Sequence, residues 1–344
     1  MKLTTACSTV GDEVFLPVNA HSRGWLVPAF VQATIRGEVR LVTSTAVYLS
    51  VNGSTGPENV CDTVSLHAAS GGVPRSPTSV HLESWDRVIL SGFDVGDETT
   101  LTNGLLTVHG RSGLTVVGCL ADTPVWTQKP RVGRLTGAGA RSTRERLERT
   151  AGVTLRAARF GLGPRVPGLV EALVSAVSRP DARDGRSGCV AQAVASLVGF
   201  GPGLTPSGDD VLAGCLLGLS GWGGDPGTVG SLGRHVLRFL EGSNPTTFVA
   251  KQVLQLACSG FGNEAVDDVL VAGRGGDPTL TRDAVLRLLT VGATSGADSL
   301  LGLVAALEVI ERVNLPGPLP AAANSAGGPG NVTQISAARG ARHD

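Results

Sequence analysis

The sequence predicts an α+β protein: a β-rich, barrel- or sandwich-like N-terminal domain followed by a mainly α-helical domain. Three observations predict it. Up to about residue 125, short runs rich in Val, Leu, Thr and Tyr alternate with clusters of Gly, Asp, Asn and Pro. From Ser142 onward the apolar spacing becomes helical. No parallel strand–helix–strand rhythm is visible.

Taken in order, candidate strands are residues 25–35, 38–51, 80–85, 87–92, 104–109 and 114–119. Arg36-Gly37 is the break between the first two, and residues 70–78 read as a loop. Residues 1–126 are therefore expected to form the β-rich domain, and 127–141, with Pro130 and several glycines, a linker. The helical domain is expected over 142–314, opened by Ser142-Thr143-Arg144-Glu145 as a capping box. Further helices are expected at 167–177, 189–198, 209–219, 228–240, 246–258, 264–272, 282–291 and 297–313. Residues 315–344, rich in Pro, Ala, Gly, Asn and Ser, are expected to be a disordered tail.

Composition narrows the function classes. Of 344 residues, 42% are hydrophobic and 17% charged, which is enough apolar material for a sizeable core. Lys+Arg and Asp+Glu are both 29, so a basic footprint for nucleic acid is not expected. Aromatic residues, at 4%, are too few for base-stacking platforms. Leu3 to Ser8 does not read as a leader, and the longest apolar runs fall short of a membrane span. Cys7, Cys61, Cys119, Cys189, Cys215 and Cys258 are far apart, a pattern that suits a reducing cytoplasm better than a disulfide framework or a zinc site. A cytoplasmic protein without nucleic-acid or membrane partners is the expectation.

The informative feature is an approximate repeat. Ser207-Gly208-Asp209-Asp210-Val211-Leu212-Ala213-Gly214 aligns without gaps to Ser295-Gly296-Ala297-Asp298-Ser299-Leu300-Leu301-Gly302. Thr205 and Thr294 lie just upstream, and an apolar helix follows each copy. Ser207 and Ser295 are expected at N-cap, with Asp210 and Asp298 at N3 as reciprocal caps. A helix N-terminus offers unpaired N–H groups and partial positive charge, so two of them side by side would cradle a phosphate or carboxylate. The same pattern also reads as two caps with no ligand at all. The run Gly199 to Pro206, with three glycines and two prolines, specifies one path into Ser207 and favours the site.

These residues carry a resemblance. Gly201-Pro202-Gly203-Leu204-Thr205-Pro206-Ser207-Gly208-Asp209-Asp210, a helix with Gly214, then Gly292-Ala293-Thr294-Ser295-Gly296-Ala297-Asp298 and Gly302 resemble the AllH-like family. Asn244-Pro245-Thr246-Thr247 resembles the polar turn that this family carries between its signature turns. The likeness covers about residues 200–307; the N-terminal part adds no motif. It implies a subunit of an oxamate carbamoyltransferase in purine and allantoin nitrogen catabolism, acting beside an FdrA-like subunit and a third protein. The implied reaction interconverts oxalurate plus phosphate with oxamate plus carbamoyl phosphate, all anions. Many relatives are expected to carry histidine where this chain has Ala293.

On this basis Asp209 and Asp210 are the candidate catalytic residues, orienting a carbamoyl NH₂. Gly203, Thr205, Ser207, Gly208, Asn244, Thr246, Thr247, Thr294, Ser295, Gly296 and Asp298 are the candidate ligand-binding residues. No cofactor is implied and no metal ligands are assigned, although Mg²⁺ would fit a carboxylate-only set. Two other classes remain open at this point: a non-catalytic anion-binding or scaffold subunit, and a Mg²⁺- or Mn²⁺-dependent amidohydrolase using Asp209, Asp210 and Asp298. Other constellations are weaker. Ser142-Thr143-Arg144 lacks the final threonine of a carbamoyltransferase phosphate turn, no Walker loop or Gly-x-Ser-x-Gly elbow occurs, and the six histidines form no metal-spaced pair.

Overall fold

The computed structural model describes residues 8–10, 13–24, 26–27, 34–52, 63–68, 72–83, 92–111, 113–120, 122–129, 134–161, 165–184, 187–242 and 245–314. The chain divides into two compact units, Met1–Asn314 and Leu315–Asp344. The second unit, expected to be a disordered tail, lies outside the described residues, as does the candidate strand 87–91.

The α+β expectation holds. Strands come first: β1 (Ser8–Val10), β2 (Glu13–Gly24), β3 (Ile35–Val42), β4 (Ala46–Asn52), β5 (Thr63–Ala68), β6 (Ser79–Leu82), β7 (Glu98–Thr102), β8 (Leu105–His109), β9 (Leu114–Cys119) and β10 (Val125–Trp126). Their order is β1-β2-β6-β5-β4-β3-β7-β8-β9, and β9 also pairs with β2, so the sheet closes on itself. Closure favours the barrel over the sandwich and removes most free edges. Strand alternation fills the interior: Val47 and Leu49 of β4, Val64 and Leu66 of β5, and Val80 and Leu82 of β6 all belong to one buried cluster.

The first two strand expectations need correction. Residues 26–27 form a turn, with β3 starting only at Ile35, and residues 38–51 are two strands joined at Thr43. Thr43 makes that hairpin because its hydroxyl accepts from the N–H groups of Thr45 and Ala46, at 3.2 and 2.9 Å. Strand β2 escaped notice because Pro17 argues against a central strand. On the side away from β9, β1 pairs only as far as Phe15 and β6 begins at Ala20, so Pro17 falls in the gap between them.

The helices are α1 (Gly137–Gly161), α2 (Arg165–Val177), α3 (Gly188–Leu197), α4 (Ser207–Trp222), α5 (Pro226–Leu240), α6 (Phe248–Cys258), α7 (Glu264–Gly275), α8 (Pro278–Leu289) and α9 (Ser295–Asn314). Helix α1 starts ahead of the expected capping box. Thr136 caps it, its hydroxyl accepting from the Gly139 N–H at 3.1 Å, and Thr143 is interior, its hydroxyl bonded to the Gly273 carbonyl. Helices α4 and α9 run through the centre of the helical part and are buried along nearly all of their length. Trp222 closes α4, fully buried, with its indole N–H on the Leu270 carbonyl at 3.0 Å. Among the described residues, no helix is long and apolar enough to cross a membrane.

The β-rich part grips the helical part beside the polar turn before α6. Gln252 of α6 donates to the Thr63 carbonyl at 2.9 Å and the Thr78 hydroxyl at 3.2 Å. Arg75 pairs with Glu264 at the start of α7, and that contact holds the Glu264 carboxyl below its usual range. Arg40 of β3 lies over the Phe248 ring, 5.6 Å from its centroid. The barrel thus fixes the end of α6 that carries Thr246 and Thr247.

Candidate functional site

Both Ser-Gly-x-Asp turns are built the same way. In the first, the Phe200 N–H donates to the Leu197 carbonyl and the Phe200 carbonyl accepts from Gly208 N–H, each at 2.9 Å. In the second, Val291 stands in that role between Leu288 and Gly296, each bond at 3.0 Å. Glycine is required at both turns. A Cβ on Gly208 would lie 2.0 Å from the Leu197 carbonyl oxygen, and one on Gly296 would lie 1.8 Å from that of Leu288. Each turn therefore rests its glycine on the closing carbonyl of the preceding helix.

The two helices then cross through a second pair of glycines. A Cβ on Gly214 would meet the Ser299 carbonyl oxygen at 2.2 Å, and one on Gly302 would meet that of Val211 at 2.1 Å. Val211 and Ser299 are equivalent positions of the repeat, as are Gly214 and Gly302. The contact is thus two-fold in character, and α4 and α9 run side by side with both N-termini at one end. The turns meet there, with the Thr205 and Ser295 hydroxyls bonded at 2.8 Å.

The expected caps are not formed. Pro206, not Ser207, occupies the N-cap of α4, and its carbonyl accepts from the N–H groups of Asp209 and Asp210. Ser207 and Ser295 are first helical residues. Their hydroxyls reach across the two-fold instead: Ser295 sits by Asp210, and Ser207 by Asp298. Much of the backbone cradle is likewise occupied, since the Gly208, Asp209, Asp210, Gly296 and Asp298 N–H groups donate to carbonyls. What faces the junction is a set of carboxyls and hydroxyls.

Asp209 is tied off. Its Oδ1 accepts from the Gly199 N–H at 3.0 Å and its Oδ2 from the Thr246 hydroxyl. Gly199 can turn its N–H inward because it takes φ +71. Burial raises the Asp209 carboxyl above its usual range, against the pull of those two donors. Thr247 caps α6 through the Ala250 N–H at 3.0 Å, and its hydroxyl donates to the Leu204 carbonyl. Asp209, Thr246 and Thr247 thus clamp the exposed 201–204 loop to α6. Asp209→Ala should leave the Gly199 donor unpaired and lower stability by roughly 2–4 kcal/mol, whereas Asp209→Asn, which can both accept from Gly199 and donate to Thr246, should cost under about 1 kcal/mol. Denaturant titration of the two variants checks this.

Asp210 and Asp298 differ from Asp209. Both are buried, at 4% and 0% exposure, yet Asp210 Oδ2 and both Asp298 oxygens have no hydrogen-bond partner, nor does Ser207 Oγ. Burial pushes the Asp210 carboxyl up to about 8, with the charges of Asp298 and Asp209 adding to it and the Ser295 and Thr205 hydroxyls opposing. Burial also raises Asp298, against the nearby Ser207 and Thr294 hydroxyls. Gly203 and Thr294 are exposed at the rim, and Asn244 lies outside the described residues.

Residues 197–307 match the family model described as oxamate carbamoyltransferase subunit AllH. No curated protein and no solved structure matches the chain. The AllH match begins at Leu197, the residue whose carbonyl supports Gly208, and takes in both turns, the Thr246-Thr247 clamp and the α4–α9 crossing. Within the matched stretch, sequence reasoning gave Gly199 to the path into Ser207 but missed its N–H on Asp209; the signal was a glycine standing one residue past the end of an apolar helix. Arg40 had no such signal, since it reaches Phe248 from the β-rich part. Among the described residues, no group of three or more His, Cys, Asp or Glu side chains is placed to hold a metal ion, so Asp209, Asp210 and Asp298 do not form the three-carboxylate set that the amidohydrolase alternative needs.

Proposed function

We propose that the chain is an AllH-type subunit of, or related to, an oxamate carbamoyltransferase of purine and allantoin nitrogen catabolism. It would work with an FdrA-like subunit and a further protein on oxalurate plus phosphate and oxamate plus carbamoyl phosphate. The observation that carries this reading is the convergence of both Ser-Gly-x-Asp turns inside the stretch that the family model matches. The small anionic ligand would lie at the rim, met by the hydroxyls of Thr205, Thr294 and Ser295 and by Gly203 as a close-approach position, with Gly208 and Gly296 seating the two turns beneath it. Because the Gly208, Asp209 and Gly296 N–H groups are engaged, hydroxyl donors take the role first given to them. Asp210, held protonated near neutral pH by burial, would supply a carboxylic acid donor to a ligand oxygen or a carbamoyl group. Asp209 would act as a positioning residue through Thr246, with Thr247 and Asn244 completing the turn.

Thermal-shift screening of the chain, alone and with its partner subunits, tests the reading against phosphate, carbamoyl phosphate, oxamate and oxalurate. A ligand at one hundred times its Kd should stabilise by about 2.7 kcal/mol. Thr205→Val, which keeps the shape and removes the bond to Ser295, should lose most of that shift. If none of the four ligands shifts the chain in either setting, the proposal fails. A second reading, a non-catalytic binding or scaffold subunit, is favoured by Ala293, which puts no acid–base side chain at the rim. Binding that never turns over, even in the assembled complex, would decide for it.

A further inference from the structure

We infer that Asp298, Asp210 and Ser207 form a buried site for one small divalent cation of the Mg²⁺ or Ca²⁺ class, bridging the two turns beneath the rim. This goes beyond the carbamoyltransferase reading and does not rest on it: the cation would displace the Asp210 proton, so ion and proton are alternative occupants of the junction.

The junction holds unmet bonds. Asp298 is 0% exposed, Ser207 2% and Asp210 4%, and four of their oxygens have no partner: both of Asp298, Oδ2 of Asp210 and Oγ of Ser207. Buried polar groups are nearly always paired, because an unpaired one keeps its full desolvation penalty. Four orphans at one junction therefore require an occupant.

Their chemistry selects which one. A water molecule would offer at most two donors and would leave two carboxylates unbalanced in a buried place. A proton on Asp210 supplies a single donor and leaves the Asp298 charge to the nearby Ser207 and Thr294 hydroxyls alone. One divalent ion balances two carboxylates, and it accepts every orphan at once. The donor set is oxygen only, without imidazole or thiolate, which selects a hard cation over zinc or copper.

The two-fold geometry supplies the bridge. Asp210 and Ser207 come from α4 and Asp298 from α9, held at a fixed spacing by the Gly214–Gly302 crossing. Asp209 takes no part, since Gly199 and Thr246 use both of its oxygens. The site therefore has two carboxylates and a hydroxyl, a smaller set than three clustered aspartates.

Chelator-treated full-length chain at pH 8, titrated with MgCl₂ and CaCl₂ against choline chloride at matched ionic strength, tests this by calorimetry and by Tm. The expected result is saturable one-to-one binding with a rise in Tm. Asp298→Asn should abolish it, and Ser207→Ala should weaken it at least about tenfold. Ser207→Ala removes one hydroxyl beside Asp298 and leaves both carboxyls in place, so it keeps the test open if Asp298→Asn does not fold. Absence of saturable binding of either ion, or binding unchanged in a folded Asp298→Asn or Ser207→Ala variant, would overturn the inference.

Discussion

Gly302→Ala should lose roughly 3 kcal/mol or more, a fall in Tm of about 6–12 °C, and Gly214→Ala should behave alike. The new Cβ would stand 2.1 Å from the Val211 carbonyl oxygen in the first case and 2.2 Å from that of Ser299 in the second. Both obstacles are backbone atoms of a buried helix, so no rotamer change relieves them. The helices must part, and the cost exceeds that of ordinary overpacking because the core has no slack. Gly168 of α2 supplies the contrast. Nothing lies within 4 Å of a Cβ there, so Gly168→Ala should stabilise by up to about 1 kcal/mol through helix propensity alone. Denaturant unfolding of the three variants reads both signs. Equal effects at Gly168 and Gly302 would mean that α4 and α9 do not touch as described.

Asp210→Asn should change the pH dependence of stability more than stability itself. In the unfolded chain the Asp210 carboxyl titrates near 3.8, and in the folded chain at about 8. Between these values the unfolded chain has released a proton that the folded chain still holds. The native state then binds more protons, so stability falls as pH rises. The contribution is complete below about 3.8 and is lost as pH climbs to about 8. Its slope is at most about 1.4 kcal/mol per pH unit. Asparagine cannot titrate, so the variant should gain on the parent protein steadily from pH 5 to pH 8. Asp209 and Asp298 are also raised and slope the same way, but they are present in both proteins and cancel in the comparison. The measurement is ΔG by urea titration across that range in chelator. Parallel profiles would show that Asp210 is ionised in the folded chain.

The helical part was legible because its apolar spacing sets its elements. Every helix expected between residues 167 and 313 is present, with ends shifted by a few residues. The β-rich part was less legible. Strands β5 and β7 are short and carry Thr, Ser, His and Glu, so their burial comes from closure of the sheet rather than from a local pattern. In the candidate site, the importance of Ser207, Asp210, Ser295 and Asp298 could be read from the repeat, but their partners could not. A capping box is a local bond, and sequence favours local explanations. The structure uses the same residues across the crossing, because Pro206 takes the N-cap and frees Ser207. Asp209 misled for a related reason: its two donors, Gly199 and Thr246, lie on separate loops that only folding brings together.

The crossing of α4 and α9 has a consequence for how such a centre can change. Two identical chains meeting on a symmetry axis must repeat every substitution on both sides, so a useful change on one side brings its mirror image with it. Here both sides are written in one chain, and each can drift alone. That freedom is visible already: Thr205 faces Ala293 across the repeat, Pro206 faces Thr294, and Asp209 faces Ala297. The first arm has become the anchored one, pinned to its surroundings through Asp209, while the second keeps a shorter turn and a bare rim. The two sides of the junction therefore differ chemically, as a left and a right.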